Sequence, residues 1–520
     1  MLAISAFFTA LPLVFTRLGF LQWVSVIPAA LALIESVRDK EIKLKRIYGR
    51  GLMFFWTYYA VVFHWFFYMY PLDFAGLSNG ASLVVVLVAC LGLSLIQALF
   101  SAFAFVLIAT VSRTKTVEKN PILTPFVAAS VWTVAEWFQT VGWWGVPWGR
   151  LPLGQIDATL LVRSSAIFGS YFVTFTMIAV NFLLAMALMN TDVRKLGIIL
   201  SLSLFCLDLA LGVVVTATYK ESGEIVRVAA AQGNISSSEK WDEDSLNNTM
   251  KVYANLTEHA ATNGAEIVLW PETALPYDLL KSEQLCTYVS ELAKENQVTI
   301  LVSAFTEDEE SGLLCNSIIE VKPDGSLGET IYSKQRLVPF GEFVPMRELV
   351  MLLIPPLADI GMLDEDLAAG EKSVILSTEA ANIGCGICFD SIYETLMLES
   401  VRNGAELIAI STNDSWFGDS AALDMHNSQS RLRAIETGRY VVRSANTGIS
   451  SVIDPLGNVK EELGALERGY VISNVYLRND TTPYTFIGNA FVYICIAFSA
   501  AVSIVDLCQK LRNNKFINNS

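Results

Sequence analysis

Seven stretches of this chain are apolar for long enough to cross a bilayer, near residues 18–36, 51–70, 85–112, 121–141, 160–190, 196–218 and 485–507. Crossing about 30 Å of hydrocarbon takes roughly 20 residues of α-helix, and few chains outside membranes carry even one such run. An eighth, weaker run covers 2–16. With no basic residue ahead of it and no clear cleavage site, it reads as a short first span rather than a removable signal peptide. Composition agrees: 53% of the 520 residues are hydrophobic and only 17% are charged, against roughly 25% charged in soluble proteins.

Orientation follows from the basic residues, which short loops keep on the cytoplasmic side. With the weak run counted first, Arg38, Lys40, Lys43, Lys45, Arg46 and Arg50 follow the second run, and Arg113, Lys115 and Lys119 the fourth. Arg194 and Lys195 follow the sixth, and Lys510, Arg512 and Lys515 lie in the tail. The alternate loops hold only the isolated Arg17 and Arg150, and 71–84 has no Lys or Arg. Both termini are therefore expected in the cytoplasm and 219–484 across the membrane. The expected organisation is a membrane domain over 1–218 with about seven transmembrane helices, an external domain over 219–484, and a last helix and tail over 485–520.

The external stretch is charged, and short β-rich runs alternate in it with helical patterns, as α/β folding requires. Strands are expected at Ile225–Ala231, Glu266–Trp270, Val298–Ala304, Ser317–Val321, Asn382–Cys388 and Leu407–Thr412. Helices are expected near 243–262, 282–296, 391–403 and 424–438. The formal charge of -15 argues against nucleic acid as a partner, because phosphate binding needs a basic face. Three histidines, His64, His259 and His426, leave few parts for a zinc site or a His-dependent triad. Acidic clusters at Glu307–Glu310 and Asp364–Asp366 read as solvated loops rather than metal sites.

Three segments put a reactive residue at or near the end of an expected strand, where open α/β sheets place their sites. They are Leu269-Trp270-Pro271-Glu272-Thr273, Tyr332-Ser333-Lys334-Gln335-Arg336-Leu337-Val338-Pro339-Phe340-Gly341-Glu342, and Gly384-Cys385-Gly386-Ile387-Cys388-Phe389-Asp390. Glu, Lys and Cys in that order, after a membrane region and before a last span, resemble the apolipoprotein N-acyltransferases, membrane members of the nitrilase superfamily. Further matches are Ala231-Gln232-Gly233-Asn234-Ile235 followed by Trp241, and Ser411-Thr412-Asn413-Asp414-Ser415-Trp416-Phe417-Gly418. Pro147-Trp148 and Gly154-Gln155-Ile156-Asp157 match in the membrane half. One departure stands out, Cys388-Phe389-Asp390 where Cys-Tyr-Glu is expected.

The chemistry gives these residue types reasons of their own. A thiol with a pKa near 8.5 needs a base or cation beside it to act as a nucleophile at neutral pH, and with histidine scarce a carboxylate and an ammonium must serve. Glu272 is the candidate general base, Lys334 the candidate oxyanion stabiliser and Cys388 the candidate nucleophile. The backbone N–H of Phe389 is a second oxyanion donor by the geometry of a nucleophile elbow. Glu342 orients Lys334 or the substrate amine, and Asp390 supports the site. Plainer readings stand beside these: a Cys385/Cys388 redox pair, a turn carboxylate at Glu272, a surface lysine at Lys334. Trp416 and Phe417 either pack the domain core or serve as acyl-chain contacts or a lid, and Trp241 divides in the same way. His64 and Glu136, inside apolar runs, read as structural hydrogen-bonding groups.

The resemblance implies a multi-span α-helical membrane domain with an α/β nitrilase-like αββα sandwich on the periplasmic side of the inner membrane. It also implies acyl transfer from a phospholipid, through a Cys388 thioester, to the N-terminal amine of a diacylated apolipoprotein, with no metal or nucleotide cofactor. A membrane-tethered amidase using water as acceptor, and a non-catalytic sensor or transporter, are the alternatives.

Overall fold

The computed structural model describes the chain apart from residues 73–76, 143, 237–239, 241–244, 354–364 and 519–520, and apart from the side chains of 350, 351, 353 and 509–518. It divides into two units: Met1–Phe67, Leu83–Thr218 and Ile487–Ser520 form one, and Tyr68–Ser82 with Tyr219–Phe486 form the other.

The first unit is helical, and every apolar run expected from the sequence carries helix. Among the described residues, five segments are both long and apolar enough to cross a membrane: Thr16–Arg38, Asn79–Ser112, Ser170–Met189, Arg194–Thr218 and Ala490–Cys508. The other expected runs give helices that fall short of that standard. Leu2–Val14 has 13 residues and Thr124–Phe138 has 15, while Leu44–Val62 carries Lys45, Arg46 and Arg50 in its first turns. Leu196, Ile199, Leu202, Val213, Val88 and Ile494 are all exposed, as suits helices surrounded by hydrocarbon. Several polar groups point inward and pair there. Gln155 Nε2 donates to Gln22 Oε1 at 2.7 Å, Gln155 Oε1 accepts from Trp23 Nε1 at 3.0 Å, and Asn181 Nδ2 donates to the Gln22 carbonyl at 2.9 Å. Gln155 thus ties its own segment to Thr16–Trp23, and Gln22 carries the link on to Asn181 of helix Ser170–Met189.

The second unit begins with strands β1 (Ile225–Gln232), β2 (Ile267–Leu269), β3 (Leu275–Asp278), β4 (Thr299–Glu307), β5 (Leu314–Val321) and β6 (Leu327–Ser333). It continues with β7 (Ile375–Ser377), β8 (Asn382–Ile387), β9 (Leu407–Thr412), β10 (Val441–Ala445), β11 (Ser450–Ile453), β12 (Val459–Leu463) and β13 (Gly469–Tyr476). One sheet runs β13-β1-β2-β4-β5-β6 with β3 added beside β4, and the other runs β12-β11-β10-β9-β8-β7. The β1/β2, β2/β4, β8/β9 and β9/β10 pairs are parallel.

Alternation along the strands builds the layers. Val226, Val228, Ile267, Leu269 and Ile318 of the first sheet pack against Ile383, Cys385, Ile387, Leu407 and Val442 of the second. On its other face the first sheet buries Ala229, Val268, Ile300 and Val302 against Met250, Tyr253, Leu256, Val289 and Leu292 of helices Leu246–Thr262 and Glu283–Asn296. Helix Glu394–Arg402 covers the second sheet so closely that a Cβ on Gly384 would lie 2.8 Å from that of Ser400, and one on Gly386 would lie 2.9 Å from Met397 Cε. These glycines account for the Gly-Cys-Gly pattern ahead of Cys388: the cysteine side of β8 faces the inter-sheet core, and the glycine side lets the helix approach. The result is an αββα sandwich of the nitrilase type.

Candidate active site

Glu272, Lys334, Glu342 and Cys388 are brought together by segments that leave the ends of strands. Glu272 lies just after β2, Lys334 just after β6, and Cys388 just after β8. Each carboxylate oxygen of Glu272 is occupied. Oε1 lies 2.8 Å from Lys334 Nζ and accepts from Asn316 Nδ2 at 2.8 Å, while Oε2 accepts from the backbone N–H of Asn413 at 2.7 Å. Lys334 Nζ also lies 2.8 Å from Glu342 Oε1, and Glu342 Oε2 accepts from Val338 N at 2.9 Å. Lys334 is 1% exposed. Burial by itself would lower its ammonium, but the two carboxylates reverse the direction and hold it well above the ordinary lysine value. It is a fixed cation.

Cys388 has φ +49°, left-handed for a residue with a Cβ. The chain turns there from β8 into a short 3-10 helix, Cys388–Ile392, which leaves the thiol half-buried at the corner of a strand-turn-helix elbow. Burial pushes its pKa up, Glu272 adds to this, and Lys334 opposes it. The thiol is therefore favoured over the thiolate. Cys385, three residues earlier, is buried in the inter-sheet core, and its thiol is pushed up by burial as well. Both cysteines are free.

Asp390 is fully buried. Its Oδ2 accepts from Tyr332 Oη at 2.9 Å and Ile387 N at 3.0 Å, and its Oδ1 accepts from Arg336 N at 2.8 Å and Gln335 N at 3.2 Å. This carboxylate thus pins the elbow to the segment that bears Lys334, at a reach that suits Asp. Burial raises it to about 6. Phe389, half-buried, packs edge-on to Tyr393 with ring centroids 5.6 Å apart. Trp416 and Phe417 are half-buried on the turn Ser415–Phe417, and the Phe417 ring stands edge-on to His426 at 6.0 Å. Trp241 lies outside the described residues.

Sequence reasoning missed three partners of Glu272. Lys240 Nζ donates to its backbone carbonyl at 2.7 Å, and burial pushes that lysine down to about 7 even though Glu272 and Cys388 pull the other way. Asn316 and the N–H of Asn413 complete the set. The Ser411-Thr412-Asn413-Asp414 motif signalled the last of these, and Ser411 Oγ reinforces it by donating to the Trp270 carbonyl at 2.8 Å. The Gln232-Gly233-Asn234-Ile235 motif is structural: Asn446 accepts from the N–H groups of Asn234 and Ile235 at 2.8 and 3.1 Å.

Comparison with known proteins places both units. Residues 5–183 match the apolipoprotein N-acyltransferase N-terminal domain, and residues 227–479 match the carbon-nitrogen hydrolase family. An apolipoprotein N-acyltransferase of Gloeobacter violaceus is 30% identical over 95% of this chain and 90% of its own length. One of Geobacter metallireducens is 29% identical over 70% of this chain and 71% of its own. Among solved structures, Saccharomyces cerevisiae Nit3, a member of the nitrilase superfamily, aligns over 50% of this chain and 92% of its own at 20% identity and a TM-score of 0.39. On the identity and coverage of the Gloeobacter relative, with both domain families matched in order, this chain belongs to the apolipoprotein N-acyltransferase family.

Proposed function

We propose that this protein transfers an acyl chain from a membrane phospholipid to the α-amino group of the N-terminal diacylglyceryl-cysteine of apolipoproteins, through a thioester on Cys388. Family membership supports N-acyl transfer. The observation that carries the mechanism is the buried Glu272–Lys334–Glu342 cluster, gathered with Cys388 at the strand ends.

In the first half-reaction Glu272 takes the Cys388 proton and the sulfur attacks the ester carbonyl carbon. The oxyanion that forms is stabilised by the Lys334 ammonium and the Phe389 N–H. Collapse breaks the ester C–O bond, and the leaving lysophospholipid oxygen takes the proton from Glu272. In the second half the amine attacks the thioester carbonyl, Glu272 takes the amine proton, and the C–S bond breaks as the amide forms. The thiol is then restored. Since one pocket serves both substrates in turn, ping-pong kinetics follow. Glu342 keeps Lys334 in place. Trp416 and Phe417 are assigned to the acyl chains, and Trp241 is given the same role on the sequence resemblance alone.

The domain assignment completes this reading: a membrane domain over 1–218, a periplasmic catalytic domain over 219–484, and a final span over 485–520, in the inner membrane with both termini cytoplasmic. Purified protein in detergent, given phospholipid and a synthetic diacylglyceryl-cysteine peptide, is expected to yield the N-acylated peptide and lysophospholipid. Release of free fatty acid alone, or hydrolysis of amides, would point instead to a hydrolase.

A further inference from the structure

Beneath the elbow lies a second buried polar chain, separate from the Glu272–Lys334 cluster. Arg443 Nη2 donates to Asp414 Oδ2 at 2.7 Å, and Thr412 Oγ1 donates to Asp414 Oδ1 at 2.9 Å. His426 Nδ1 lies 2.9 Å from Asp414 Oδ1, and its Nε2 lies 3.2 Å from the carbonyl oxygen of Cys388 and 3.1 Å from Ser391 Oγ. Ser391 Oγ donates to that same carbonyl at 2.7 Å. Arg443 and His426 are fully buried and Asp414 is 1% exposed. Arg443, with His426 adding to it, overcomes burial and holds the Asp414 carboxyl well below the usual carboxylate range.

A carboxylate, a guanidinium and an imidazole so deeply buried are costly unless they satisfy one another. Here Asp414 meets Arg443, Thr412 and His426. The imidazole donates to both Asp414 and the Cys388 carbonyl only when each ring nitrogen carries a proton, a charge that burial and Arg443 oppose, lowering its pKa, and that Asp414 and the carbonyl favour. The end of the chain is the backbone of the strained residue. The carbonyl of Cys388 and the N–H of Phe389 belong to one planar trans peptide, in which the two groups point in opposite directions. Whatever grips the carbonyl from one side therefore sets the direction of the N–H on the other. We infer that His426 is a positioning residue: with Ser391 it clamps the Cys388 carbonyl and so aims the Phe389 N–H at the oxyanion, braced from behind by Asp414 and Arg443. This inference rests on the proposed thioester reaction and on Phe389 N–H as an oxyanion donor.

Two variants separate the two ends of the ring. The amide of His426→Gln reaches the place of Nε2 and still donates to the Cys388 carbonyl. The shorter amide of His426→Asn reaches only the Nδ1 side, toward Asp414. Single-turnover acylation by a fluorescent phospholipid is expected to fall about 10- to 100-fold in maximal rate for His426→Asn, below the roughly 10²–10³-fold cost of deleting an oxyanion donor. The phospholipid concentration for half-saturation should be unchanged, and His426→Gln should recover most of the rate. Ser391→Ala, a smaller perturbation, is expected to fall in the same way. Alkylation of Cys388 by iodoacetamide forms no oxyanion, so its rate across pH should match the wild type in all three variants. Wild-type acylation by His426→Asn would overturn the inference. So would parallel loss of acylation and alkylation in His426→Asn and Ser391→Ala, since that assigns the chain to holding the fold. Failure of the wild type to form any Cys388 adduct would instead remove the thioester reading beneath it.

Discussion

Glu272 and Lys334 meet at 2.8 Å, carboxylate to ammonium, with both side chains shielded from water. A second carboxylate, Glu342, holds the same ammonium at the same distance. The two groups should fail differently when each is neutralised. Glu272→Gln keeps size but removes the proton acceptor, which typically costs about 10²–10⁴-fold. Both acyl-enzyme formation and amine attack should slow, and raising the pH should partly restore them by supplying thiolate directly. Lys334→Met removes the oxyanion's cation at roughly 10²–10³-fold, leaves two buried carboxylates facing one another, and should not recover at high pH. Single-turnover acylation over a pH series in detergent separates the two.

Cys385 and Cys388 should behave as unlike residues. Cys388→Ala is expected to abolish acylation in a protein that still folds. Cys385→Ala leaves a small gap in the inter-sheet core, costs about 1–2 kcal/mol of stability by the usual range for such changes, and keeps most of the activity. Equal loss of activity in both would favour a redox pair. Unfolding curves together with transfer assays on the two variants decide the matter.

Asp390 accepts four hydrogen bonds while fully buried, so Asp390→Ala strands four donors at about 1–3 kcal/mol for each one left buried and unpaired. A destabilisation above about 3 kcal/mol is expected in chemical unfolding of the whole chain. Its pH dependence has a definite sign. The folded value of about 6 lies above the ordinary 3.8, so folding favours the protonated acid. That contribution to stability is complete below about pH 4 and is lost as pH rises through 6. Acylation should move the other way and fall below pH 6, because the neutral acid is a weaker acceptor for the donors that hold the elbow. A wild-type acylation rate that stays flat between pH 7 and 5 would contradict this role.

Cysteines engineered into 219–484 should react with a membrane-impermeant thiol reagent added from the periplasmic side, and those placed near either terminus should not. Labelling of the ectodomain positions only from the cytoplasm would invert the orientation drawn from the basic loops.

Much of the second unit was legible because its central strands are nearly pure apolar runs. The strands expected around 225–231, 266–270, 298–304, 317–321, 382–388 and 407–412 all form, with ends shifted by a few residues. Most of the strands left unread carry charge or are very short. β10 holds Arg443 in its middle, β12 reads Val-Lys-Glu-Glu-Leu at a sheet edge, and β7 has three residues. β13 pairs antiparallel with β1 across more than two hundred residues, and nothing local announces such a partner. The same distinction governs the site. Glu272, Lys334 and Cys388 each follow a strand and can be picked out by position. Lys240, Asn316 and His426 matter through contacts that only the folded chain makes, and in the sequence they read as an ordinary lysine, asparagine and histidine.

The central claim is that Cys388 carries the acyl chain between two substrates. Intact-mass and peptide mass spectrometry of the purified protein after brief incubation with phospholipid tests it most directly, followed by addition of a diacylglyceryl-cysteine peptide. The account predicts a single acyl adduct on the peptide containing Cys388, sensitive to hydroxylamine, absent from Cys388→Ala, and discharged as N-acylated product appears. N-acylated peptide forming at a normal rate in Cys388→Ala, or an adduct that persists when the acceptor is added, would contradict it.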